Sequence, residues 1–296
     1  MSRTVSASLP IVEPAESDCP HRRPRGARPG FPFWTWAHRL TALALLLVFL
    51  CEPWIPPRLF HGNWNGAVWF GAWTILDPLA GLETIVASRT LSRELVAGMA
   101  TTVVAALLLG RVFCGWVCPL GLVLELHQSV RQRVQKTHPP PLQSRRTAAH
   151  GVKFYVLAGC LVGSAVATVP LFATWSPINL PFAWRGEDRL WALAPLAVLL
   201  LIEWWWPRVF CRSLCPLGAF YSLLGRWSLL RVRITGEERL ACRRCSRDCP
   251  MGIAVMEDYV CRGAAAIDDP DCTRCGICTD RCLGHILRLG WSRSRS

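Results

Sequence analysis

The chain has 296 residues, 52% of them hydrophobic and 18% charged, with mean hydropathy +0.28; this excludes an ordinary water-soluble globule and leaves room for one large or two modest domains. The formal charge of +13 invites a nucleic-acid reading, but the basic residues fall where membrane topology would put them, so no nucleic-acid partner is needed. Fifteen Trp against three Tyr suit a membrane–water interface, and most of the fifteen Cys stand in metal-type spacings that favour a reducing compartment over a secreted disulfide framework.

Residues 1–34 are polar, carry Pro, Gly and Arg, lack a secretory pattern and read as a disordered basic lead-in. Four stretches then approach the roughly twenty apolar residues a bilayer crossing takes: His38–Trp54, Glu94–Phe113, Val152–Trp175 and Arg189–Trp206. Uniformly apolar runs of this kind also form buried core helices, the competing reading. Pro53–Arg93 is long and Trp-rich, and is expected to lie along the outer interface as a short amphipathic piece. Thr174–Asp188 is its shortened counterpart, with Ser176-Pro177 where the first has Asp77-Pro78. Of the 33 Lys and Arg, 28 lie before residue 40, between Arg111 and Lys153, or from Arg208 onward, so both termini are placed in the cytoplasm.

Two strings end the second and fourth stretches: RVFCGWVCPLG at Arg111–Gly121 and RVFCRSLCPLG at Arg208–Gly218. The chain thus divides into a first membrane hairpin (35–134), a cytoplasmic linker (135–151) and a second hairpin (152–234) in the same orientation, parallel repeats about an axis along the membrane normal. Cysteines at i and i+4 share one face if the segment is helical, and the following proline lets a new turn begin. One pair is too few for a cluster. The repeat would bring Cys114, Cys118, Cys211 and Cys215 together to hold an iron–sulfur cluster at the cytoplasmic membrane face; redox thiols, Cu(I) ligands or simple packing are the other readings.

Residues 235–296 hold the third cysteine group. Cys272, Cys275, Cys278 and Cys282 have the spacing of a 4Fe-4S motif, with Leu283 where proline is usual. A zinc ribbon would need two well-separated Cys-x-x-Cys knuckles. Cys242, Cys245 and Cys249-Pro250 match the last three positions of the same motif, Arg239 standing at the first, and Cys261 restores the total to eight. In two-cluster ferredoxins the fourth cysteine of each motif serves the other cluster. By that rule Cys249 joins Cys272, Cys275 and Cys278, while Cys242, Cys245 and Cys282 are completed by Cys261 or left as an incomplete centre. Cys19, Cys51 and Cys160 stand alone and receive no function.

Ionisable residues near a bilayer are functional candidates. Glu203, beside Trp204–Trp206, is placed to take a quinol proton, to snorkel or to pair with Arg208. Glu52 and Asp77 are candidates for an outer quinone pocket. His38 and Arg39 are expected to anchor the first span, and His285 to lie beside the last cluster or at the surface.

Four spans, two CxxxCP motifs and C-terminal cysteine clusters, in that order over roughly residues 35–290, resemble the NapH-like ferredoxin-type membrane proteins, with NosR, MauN and CcoG among relatives sharing the motifs. The resemblance implies an all-α, four-helix bacterial inner-membrane protein with a small ferredoxin-like α+β domain. It further implies two C-terminal 4Fe-4S clusters and electron transfer between the quinol pool and a membrane-associated or periplasmic redox partner. An alternative from another class is an assembly factor that reduces copper or a disulfide with its CxxxCP thiols. A third is a non-catalytic anchor for a soluble oxidoreductase.

Overall fold

The computed structural model describes residues 30–51, 54, 56, 60–63, 65–69, 73–135, 149–178, 189–236 and 242–291. Glu52, Cys19 and Arg239, with most of the lead-in and of the 135–151 linker, lie outside the described residues.

Helices form at all four expected stretches: α1 (Phe33–Leu50), α3 (Arg93–Leu109), α5 (Ala149–Ala167) and α7 (Arg189–Trp205). Of these, α1 is long and apolar enough to cross a membrane (18 residues, mean hydropathy 1.5), and α5 and α7 contain the shorter apolar stretches Gly151–Ala167 and Ala194–Trp205. Each of the four turns large apolar side chains outward: Leu47 on α1, Val104 on α3, Val162 on α5 and Leu201 on α7 are all at least half exposed. Water would penalise such a belt; hydrocarbon would not.

Local chemistry sets the helix ends. Ser92 caps α3 by accepting from the Leu95 N–H (3.3 Å), and Gly110 ends it at φ 78°. Glycine is required there twice over, because a Cβ would also sit 2.6 Å from the Arg274 guanidinium. No side chain of its own first turn caps α1. Asp280 does so from 245 residues away, accepting from Trp34 N (3.3 Å), Thr35 N (2.7 Å) and Thr35 Oγ1 (2.8 Å). Asp280→Ala is expected to cost about 1–2 kcal/mol through the lost cap, seen as a lower thermal midpoint in detergent, with Asp280→Asn recovering most of it.

The Trp-rich outer segment departs from expectation. Instead of an amphipathic piece it folds as an antiparallel meander, β1 (Phe60–Asn63), β2 (Gly66–Trp69) and β3 (Trp73–Leu76), leading into α2 (Pro78–Ser88). Register pairs Asn63 with Gly66 and Val68 with Thr74. Asp77 and Pro78 then start α2, the carboxylate accepting from Leu79 N at 3.4 Å. Its counterpart Ser176 accepts from Ile178 N (3.3 Å), the same two-residue reach, at the end of the short α6 (Leu171–Trp175).

Packing repeats between the halves. After α3 comes α4 (Pro119–Gln135), and after α7 comes α8 (Pro216–Leu224). Within the halves α1 packs on α4 and α5 on α8; across them α4 meets α7 and α8 meets α3. That exchange is what a two-fold axis between the halves produces.

Beyond α8, β4 (Leu230–Ile234) lies between β5 (Ala266–Ile267) and β6 (Leu287–Trp291) in an antiparallel sheet, so the C-terminal unit takes in five residues ahead of Thr235. Short helices α9 (Arg244–Arg247) and α10 (Ile277–Asp280) lie within its two cysteine motifs, carrying Cys245 and Cys278, and Val232, Ile253, Ile267 and Leu287 fill its core. Cys211 packs against both this core and that of the bundle.

Candidate metal centre

The repeated string encodes a backbone device. Phe113–Val117 and Phe210–Leu214 are single π-helical turns, closed by Cys118 N–H to Phe113 O (2.9 Å) and Cys215 N–H to Phe210 O (2.8 Å). The expected α-helical face is therefore a π turn. Proline restarts the helix without needing a donor, and two residues later a glycine N–H points at the cysteine: Gly218 N donates to Cys215 Sγ at 3.3 Å, and Gly121 N to Cys118 likewise. A Cβ at Gly121 would lie 2.5 Å from Cys114 O, and one at Gly218 would strike the Arg111 guanidinium at 2.6 Å. Each letter of C-P-L-G that is not leucine thus has a geometric reason.

The structure brings Cys114, Cys118, Cys211 and Cys215 together, near enough that each feels the charge of the others. Burial pushes the Cys211 thiol up to about 11 and those of Cys118 and Cys215 well above their ordinary range. Loading a metal centre would therefore release protons.

The C-terminal cysteines lie in mutual electrostatic reach, Cys245 acting on Cys278 as well. Cys249 is an electrostatic neighbour of Cys272, Cys275 and Cys278, and Cys245 of Cys242 and Cys282. A small pocket walled by Val232, Ile253 and Ile267 is lined by all four of the first set. Cys261 packs on the same core. Its sulfur is joined in a disulfide, and a sulfur so joined is not free to act as a thiolate ligand. It regains that capacity only when reduced, the ordinary state of cytosolic thiols.

A second small cavity is lined by Cys114 and Cys211, one from each repeat, and by Cys275 of the C-terminal set. The Trp116 indole donates to Arg274 O (3.2 Å) alongside it. The donor chemistry fits iron–sulfur clusters. Among the described residues no three His, Cys, Asp or Glu are grouped closely enough to hold a metal ion. One buried donor in the second cavity, Arg208 Nη2, has no hydrogen-bond partner, as expected of a group facing an anionic guest.

Glu203 is buried, with its carboxylate accepting from the backbone N–H groups of Arg208 and of Phe210 (3.0 Å), so it holds the second π turn to the end of α7. His38 and Arg39 both bind Glu125 of α4, at 2.8 and 2.7 Å, and His285 is exposed. Asp77 is buried beside Glu83 and is an electrostatic neighbour of Tyr221, which in turn neighbours Cys114 and Cys118 and stacks on Phe113 at 5.3 Å.

Sequence reading missed Glu83, Lys153 and Asp271. Glu83 accepts from Phe172 N and Ala173 N (3.1 Å each), tying α2 to α6. An acid at residue 83 in an apolar stretch and a lysine at the head of a span were the available signals.

Burial raises the Asp77 carboxyl from 3.8 to about 7, against the Leu79 and Ala80 amides that lower it. Between those values the folded chain keeps a proton the unfolded chain has released, so stability falls as pH rises through the window, by on the order of 4 kcal/mol in all. Asp77→Asn keeps a cap acceptor and should flatten the dependence of thermal midpoint on pH from 4 to 8. An unchanged slope would show that Asp77 is not the group.

Comparison with known proteins adds a further layer. The 4Fe-4S binding domain family matches residues 94–138 and 189–235, the segments that hold the two CxxxCP motifs. The ferredoxin-type protein NapH of Escherichia coli is 29% identical, covering 86% of this chain and 88% of its own. The methylamine utilization ferredoxin-type protein MauN of Methylobacillus flagellatus is 29% identical, covering 73% and 76%. An uncharacterised protein of Methanocaldococcus jannaschii is 30% identical, covering 67% and 80%. No solved structure matches the chain.

Proposed function

Since the chain belongs to the NapH-like ferredoxin-type family, we propose that it is an integral membrane protein that passes electrons between the quinol pool and a redox partner through three 4Fe-4S clusters. Carrying this reading is the meeting of Cys114, Cys118, Cys211 and Cys215 across the repeat, on a cavity shared with Cys275. α1, α3, α5 and α7 would span the bacterial inner membrane with both termini in the cytoplasm, the outward apolar belt facing lipid.

The clusters would supply one-electron carriers within tunnelling reach of one another. The residues supply the order. Cys114, Cys118, Cys211 and Cys215 hold the membrane-face centre. Cys249, Cys272, Cys275 and Cys278 hold the next, across the shared cavity. Cys242, Cys245 and Cys282, with reduced Cys261, would hold the outermost.

Asp77 is the residue for the quinol proton. Its carboxyl, held by burial at about 7, can take or return a proton near neutral pH. Tyr221 feels the charge of Asp77 and of Cys114 and Cys118 alike. Glu203 fixes the second motif's backbone.

The test is reduction of the anaerobic, detergent-solubilised protein by menadiol, followed by bleaching of the iron–sulfur absorbance. Bleaching that menadione reverses is expected. Centres that respond to dithionite but exchange nothing with menadiol or menadione would overturn the quinol assignment.

A further inference from the structure

Both repeats place an arginine three residues before the first motif cysteine, and neither proposed ligand set uses it. Arg111 and Arg208 are buried, at 1% and 6% exposed, and line the cavity that Cys114 and Cys211 share with Cys275. Burying an unpaired guanidinium is costly, so each needs an account of its partners.

Arg111 has a full set. Its Nε donates to Cys114 Sγ (3.4 Å), Nη1 to Asp271 Oδ1 (2.6 Å) and Nη2 to Cys211 O (2.8 Å). One planar group thus touches a cysteine of each repeat and the carboxylate adjoining Cys272. Asp271 cannot neutralise it alone, because Lys153 Nζ also binds Oδ1 at 2.5 Å. Arg208 is the two-fold mate with an incomplete set. Its Nε donates to Gln128 Oε1 (2.9 Å), while Nη2 has no partner. The carboxylate nearest in sequence, Glu203, is engaged by backbone, and Glu125 on the cavity wall is held by His38 and Arg39.

We propose that Arg111 and Arg208 are paired positioning residues for an anionic cluster on the four motif cysteines, holding its added electron by charge and N–H···S bonds and so raising its reduction potential above that of the outermost centre. This rests on the proposed cluster at that site. One electron enters, no covalent bond is made or broken and no proton is transferred; the guanidinium charge offsets the charge gained by the thiolate-bound core. The motif is then R-x-x-C-x-x-x-C-P-L-G, with arginine as much a part of it as proline.

The experiment is a dithionite redox titration of the anaerobic full-length protein, read by electron paramagnetic resonance, on wild type, Arg208→Met, Arg208→Lys and Arg111→Lys. Iron is counted in each. With about twelve irons retained, Arg208→Met should shift one of the three midpoints downward and leave the other two in place, the lysine variants falling between. A parallel measurement needs no variant: in wild type, exchange into deuterated buffer should alter the proton hyperfine couplings of that same centre. Unmoved midpoints with all irons present, or no exchangeable coupling, would overturn the role. Eight irons in wild type would instead remove the cluster itself.

Discussion

Alanine at both Cys118 and Cys215 should reduce menadiol-driven bleaching to background while dithionite still reduces the two C-terminal centres. These two cysteines are the buried members of the four, one from each repeat, and each caps the helix that follows it. Losing both leaves Cys114 and Cys211, too few thiolates for a cube, and removes the only centre that faces Tyr221 and Asp77 among the proposed sites. The C-terminal cavity, lined by Cys249, Cys272, Cys275 and Cys278, is untouched. Serine in place of alanine tests the cap separately, since its hydroxyl can still accept from Gly121 and Gly218. Menadiol bleaching at the wild-type rate in the double alanine variant would mean that electrons bypass the membrane motifs.

Asp271→Ala should be the most destabilising single change outside the cysteines. The carboxylate is 1% exposed and holds two cations, Arg111 at 2.6 Å and Lys153 at 2.5 Å, with Ser222 Oγ at 3.0 Å. Removing it strands both charges in the interior, a loss of about 3–5 kcal/mol for a broken buried pair. The thermal midpoint in detergent should fall by on the order of 10 °C. Because Arg111 and Lys153 belong to the bundle and Asp271 to the C-terminal unit, loss of the pair should also loosen their docking. Limited proteolysis should then release fragments beginning beyond β4. Asp271→Asn, which keeps one acceptor, should lie between. A drop of less than about 2 °C, within the ordinary effect of a surface change, would show that the pair carries no such weight.

What could be read from the residues follows from how local the cause is. The duplicated string, the apolar helices and the cysteine groups are periodic or contiguous, so spacing alone pointed to them. The meander at Phe60–Leu76 was written in the chain, as Asn65-Gly66 is a hairpin signal, but the density of Trp suggested an interfacial piece instead. The π turns had no such signal: i and i+4 cysteines look the same on an α-helix, and only the proline after the second marks the change of pitch. Least legible were contacts between distant residues. Asp280 capping α1, Asp271 between Arg111 and Lys153, and Glu125 between His38 and Arg39 each join segments dozens to hundreds of residues apart. Each residue alone resembles an ordinary surface charge. The backbone partners of Glu203, the N–H groups of Arg208 and Phe210, had no signal in the spacing either.

The most direct measurement is iron and acid-labile sulfide per polypeptide in the anaerobically purified full-length protein, with copper counted alongside. About twelve of each is the expected result, four for each of three clusters, one of them on Cys114, Cys118, Cys211 and Cys215. About eight of each, with copper bound or the motif thiols open to alkylation, would contradict a membrane-face cluster and move the chain's chemistry to the thiols themselves.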